Sequence, residues 1–79
     1  MKQQYQAKSS QWDRERIRAL RRHLGLTQRE LADQLGTRQQ TISEWELGMY
    51  QPRGTSSTLL SIIAERAQFR YDASPKKKA

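Results

Sequence analysis

Between Gly25 and Gly48 the chain reads GLTQRELADQLGTRQQTISEWELG, two short amphipathic segments separated only by Gly36 and Thr37. Each segment opens on a helix-start signal, Thr27-x-x-Glu30 and then Thr37-x-x-Gln40. In such a capping box the hydroxyl accepts from the third backbone N–H, and the third side chain reaches back to the cap. Each segment closes on a glycine, the residue that most readily takes the left-handed turn past a helix end. Leu26 can staple onto Leu31 across the first cap. Leu31 and Leu35 form the inward face, with the small Ala32 where another helix can come close. Two helices joined by so short a turn cannot lie antiparallel, so the spacing predicts a steep crossing.

Projected around its axis, the second of these segments puts Ile42 and Trp45 on one side, flanked by Arg38 and Glu46. Gln40, Ser43, Glu44 and Leu47 point roughly the other way, with Gln39 at the exposed N-terminal end. Ahead of the pair, Ser10 is the expected cap of a first helix to about Leu24, with Trp12, Ile17, Leu20 and Leu24 at helical spacing. Behind it, MYQPRG carries the breakers Pro52 and Gly54. A fourth helix then begins around Thr55–Ser57, with Leu59, Leu60, Ile62, Ile63, Ala64 and Ala67 as its apolar content, fading through 68–72. No segment reads as a strand. The expectation is an all-α bundle of four helices with room for a stub of a fifth. Residues 1–9 read as a disordered polar arm, 10–72 as one domain, and 73–79 as a disordered basic tail.

Charge sharpens this. The 79 residues carry a net +7 with a pI near 10.4, which calls for an acidic partner, nucleic acid first. All five Lys (Lys2, Lys8, Lys76, Lys77, Lys78) lie in the tails, and all ten Arg lie between Arg14 and Arg70. Over 11–72, ten Arg against eight acids leave only +2. Flexible lysines suit mobile pairing with phosphate, whereas arginines on a folded scaffold suit oriented contacts.

Other classes find little support. A domain this short leaves little room for an enclosed substrate cavity. It has no Cys, which rules out a disulfide framework or thiolate zinc site and fits a reducing compartment. Neither a membrane-length apolar run nor a signal-peptide core is present. The reading is cytosolic, nucleoid-associated if DNA is the partner. There is no Gly-rich phosphate loop, metal-ligand cluster or nucleophile–base arrangement, and Glu44 and Glu46 face different directions. An enzyme is not expected, nor a cofactor or metal.

The ordered set Arg21, Gly25-Leu26-Thr27-Gln28, Leu31-Ala32, Leu35-Gly36, Thr41-Ile42-Ser43, Glu46-x-Gly48 and Pro52 resembles the helix-turn-helix family of phage repressor and Cro proteins and their bacterial relatives. The likeness covers about residues 14–64. It implies a lambda-repressor-like fold whose helix-turn-helix occupies about 28–35 and 38–46. It implies double-stranded DNA as partner, and a transcriptional regulator that represses as a homodimer on a palindromic operator. Helix three would enter the major groove, with Gln39, Gln40 and Glu44 reading bases, supported by Arg38 and Ser43. The paired glutamines suggest adenine in each half-site, because one amide can bond N6 and N7 together. Gln28, Thr37, Thr41, Tyr50, Gln51 and Arg53 fall where relatives hold the DNA backbone. Arg21 and Glu46 match the family's structural ion pair.

Two departures stand out. Relatives carry an apolar segment after helix four that builds a dimer interface, and here Gln68-Phe69-Arg70-Tyr71 is short. Trp45-Glu46-x-Gly48, Pro52-x-Gly54 and Leu59-Leu60 resemble antitoxin-type members, which brings in a toxin protein as a second partner. A protein-bridging coactivator is the other alternative. Bland roles are expected for the rest. Trp45 packs in the core, and Trp12 and Tyr5 cover or trail the first helix. His23 suits a helix C-terminus. Arg14, Arg16, Arg18 and Arg22 form a solvated face, and Leu47 and Met49 an exposed apolar spot open to a dimer contact.

Overall fold

The computed structural model describes residues 12–70, and the expectations for Tyr5, Ser10 and both tails lie outside them. Four helices follow in order: α1 (Arg14–Leu24), α2 (Gln28–Leu35), α3 (Gln39–Glu46) and α4 (Thr55–Arg66). No strand occurs among the described residues. The core gathers Ile17 and Leu20 from α1, Leu31, Ala32 and Leu35 from α2, Ile42 and Trp45 from α3, and Leu60 and Ala64 from α4. Each helix contributes one apolar stripe, as helical periodicity requires.

The start of α1 differs from the expected one. Asp13, not Ser10, is the N-cap, and its carboxylate accepts from the Arg16 N–H at 2.9 Å. Trp12 therefore lies outside the helix, and it does not merely trail it. The extended backbone at Asp13 lets the indole turn back into the core, where it is 5% exposed. Its Nε1 donates to Ser61 Oγ on α4 at 2.9 Å. That bond satisfies the one polar atom a buried indole carries.

The α2 cap follows its sequence signal. Thr27 Oγ1 accepts from the Glu30 N–H at 3.1 Å, and Glu30 Oε1 accepts from the Thr27 N–H at 2.9 Å. The α3 start does not. Its N-cap is Arg38, with no side-chain capping bond, so the Thr37-x-x-Gln40 box is absent. The preceding turn explains why. Gly36 sits at φ 70°, and the Thr37 N–H donates to the Ala32 carbonyl at 2.9 Å. Thr37 is thus part of the motif that closes α2, and α3 begins one residue later.

Helix α4 also ends earlier than its apolar run suggested. Its last turn is closed by Gln68 at φ 56° and by a Phe69 N–H to Ala64 carbonyl bond of 2.9 Å. Phe69 folds back onto the core, and no fifth helix begins among the described residues. Leu59 and Ile63 are only half-buried, and Ile62 is exposed. His23 joins the two distant ends. Its Nε2 donates to the Ala67 carbonyl at 2.9 Å, and its ring centroid lies 5.3 Å from that of Phe69.

Candidate nucleic-acid interface

α3 has two chemically different sides. Ile42, Trp45 and Glu46 are buried. Arg38, Gln39 and Gln40 are exposed, and Ser43 and Glu44 are half-exposed. Five expected base-reading residues therefore share the accessible part of one short helix. Gln40 and Glu44, one turn apart, are joined by a bond from Gln40 Nε2 to Glu44 Oε2 at 3.1 Å. Beyond α3, Tyr50, Gln51 and Arg53 are exposed in the loop to α4, while Thr37 and Thr41 are half-buried. Pro52 is buried and anchors that loop.

What holds α3 in place is a carboxylate. Glu46 is 4% exposed, the one buried charged residue among those described. Arg21 grips it in bidentate fashion, Nε to Oε2 at 2.7 Å and Nη2 to Oε1 at 3.0 Å. Arg21 Nη1 also donates to the Leu26 carbonyl at 3.1 Å, in the turn between α1 and α2. Gln28 Nε2 donates to Glu46 Oε1 at 3.1 Å, and Arg18 Nη2 to the Glu46 backbone carbonyl at 2.7 Å. One residue thereby ties α3 to both α1 and α2. Burial by itself would raise the Glu46 carboxyl. Hydrogen bonds from Arg21 and Gln28, with the charges of Arg21 and Arg18, outweigh it and hold the group below the usual carboxylate range. Reciprocally, the bond to Glu46 raises Arg21.

Some members of this network were not legible as such. Gln28 was expected at the DNA backbone, and its amide nitrogen is engaged with Glu46. Arg18 was expected on a solvated face, although it stands three residues before Arg21 and so shares its side of α1. Arg14 was assigned to the same face, and it lies against Gly48. That glycine has φ 81°, and a Cβ there would sit 3.2 Å from Arg14 Cδ. The left-handed backbone favours glycine at 48, and a Cβ there would also push the Arg14 side chain aside by a few tenths of an ångström. With the Met49 N–H donating to the Glu44 carbonyl at 2.9 Å, the C-terminal end of α3 is closed.

A family model described as Helix-turn-helix matches residues 17–66, which span all of α2, α3 and α4 and most of α1. The chain belongs to the XRE/Cro/C1-type helix-turn-helix family. It is a DNA-binding transcription regulator. Searches of curated proteins and of solved structures gave no match. Among the described residues of this regulator no helix is long and apolar enough to cross a membrane. No cluster of His, Cys, Asp or Glu there could hold a metal ion.

Proposed function

We propose that the regulator is a sequence-specific repressor. It binds a palindromic operator as a homodimer, with α3 of each copy in the major groove. The observation that carries this reading is the run of three exposed polar residues, Arg38, Gln39 and Gln40, at the start of a helix whose opposite side is locked into the core. A helix presented N-terminus first, with polar side chains ahead of its buried face, is the geometry by which recognition helices reach base edges. The exposed Tyr50, Gln51 and Arg53 suit flanking phosphates, which fix register without reading sequence.

Selection of bound DNA from a random pool tests the reading. The expected product is a two-fold symmetric site with half-site centres about one helical turn, roughly 34–36 Å, apart. Gln39→Ala should relax the preference at one base pair per half-site while leaving non-specific affinity in place. Arg53→Ala should weaken all sequences alike and flatten the salt dependence by about one unit. A pool that yields no common motif would sink the repressor reading.

A second reading, autoregulation by an antitoxin that also binds a toxin protein, draws on the exposed Leu47 and Met49 directly after α3. Under that reading a second polypeptide stays with the chain through purification and is lost from Met49→Asp.

A further inference from the structure

The two carboxylates of α3 do different work. Glu46 is buried in the scaffold, whereas Glu44 stands on the accessible side with one oxygen on the amide of Gln40. We infer that Glu44 is a positioning residue that fixes which edge Gln40 offers to DNA, and so makes Gln40 select adenine against guanine. The inference rests on the proposal that α3 reads bases.

A glutamine amide has an acceptor, Oε1, and two N–H donors, and its two ends can exchange by a half-turn about χ3. An ionised carboxylate only accepts. With Glu44 Oε2 at 3.1 Å, the nitrogen must face Glu44, because the reverse orientation sets two acceptors against each other. The amide polarity is therefore set by the neighbour one turn along the helix. One N–H is used on Glu44, which leaves Oε1 and the remaining N–H as a single acceptor–donor edge.

That edge matches adenine, whose N6 donates and whose N7 accepts. Guanine presents two acceptors, O6 and N7. To satisfy both, Gln40 must supply two donors, and Glu44 has taken one of them. In the free protein such an i,i+4 bond biases the amide only about twofold. In a groove that excludes water the bias grows, since a carbonyl facing a carboxylate there has no solvent to relieve it. Gln39 has no such neighbour among the hydrogen bonds of α3, and it can turn either end toward a base. The two glutamines, adjacent in sequence, are thus unequal readers, Gln40 strict and Gln39 adaptable.

The experiment compares wild type, Glu44→Ala and Glu44→Gln on the selected operator and on variants carrying each base at every half-site position. Glu44→Ala is expected to lower the adenine-over-guanine ratio by about tenfold at one base pair per half-site, with the other positions unchanged. Non-specific affinity should hold or rise, because a negative charge leaves a phosphate-facing surface. Glu44→Gln, whose carbonyl can still accept but can also turn away, should fall between the two. In the free protein, Glu44→Ala should shift the side-chain amide resonances of Gln40 and leave those of Gln39 in place, a readout independent of DNA. An unchanged base profile on an operator that wild type does select overturns this inference alone. Absence of any selected operator overturns the DNA-reading proposal as well.

Discussion

The two ends of α3 are built on opposite plans. At the C-terminal end, Glu46 binds side chains from α1 and α2, and Gly48 closes the turn against Arg14. At the N-terminal end, Arg38 caps nothing with its side chain, and Arg38, Gln39 and Gln40 are exposed. Tertiary contacts gather at the C-terminal end, and exposed polar side chains at the tip proposed to read bases. A recognition helix has to be aimed accurately yet keep its tip free for another molecule, and anchoring by one end meets both needs. Mutations at the two ends should therefore separate stability from sequence preference.

The sharpest way to break that contrast is to cut the anchor. Arg21→Ala is expected to cost most, up to the roughly 3–5 kcal/mol of a broken buried pair, lessened by the Gln28 amide and the Arg18 charge that stay beside Glu46. Glu46→Ala should cost less, because Arg21 is more exposed than Glu46, at 19% against 5% for the side chains, and can turn its guanidinium to water. Urea unfolding of the two variants checks the order, and a costlier Glu46→Ala would place the strain elsewhere. Acid tests the same anchor more gently. Glu46 is held below its ordinary value in the folded protein, so its ionised form adds stability above the unfolded carboxyl value of about 4.3. That stability is lost as pH falls below about 4 and through the lower folded value. In Glu46→Gln this part of the acid dependence should vanish, leaving a shallower loss between neutral and acid pH.

The same contrast governs what could be read from the chain. The helices, the α2 cap and the apolar stripe of α3 were legible because each rests on residues within one or two turns of each other. The Arg21–Glu46 pairing is legible only through family resemblance. Nothing local to Arg21 announces a partner 25 residues away. Gln28 joins that partner for a reason no periodicity contains: a buried carboxylate has several lone-pair sites to satisfy, while Arg18 joins through the Glu46 backbone carbonyl. Trp12 departs from its expected role because its placement relative to the helix depends on the cap. With Ser10 as cap it rides on α1, and with Asp13 as cap it is free to turn into the core. At Thr37 two local signals competed for one residue, and closure of α2 won over initiation of α3.

The uncapped tip offers a smaller test. Arg38 occupies the position where Asn, Asp, Ser or Thr normally accepts from the first turn. A cation there also opposes the positive end of the helix dipole. Arg38→Asn and Arg38→Ala remove the same charge and differ chiefly in the ability to cap. If the tip is open, Arg38→Asn should be more stable than Arg38→Ala by about 1 kcal/mol, a difference of roughly 4–8 °C in Tm for a domain of this size. Both should bind DNA more weakly than wild type, and to the same extent, if Arg38 serves by its charge. Equal Tm values for the two variants would mean that the first amides of α3 already have partners, and the two ends would then be less unlike than they look. A more stable Arg38→Asn with weakened DNA binding would instead show that a stabilising cap had been given up at this position for contact with DNA.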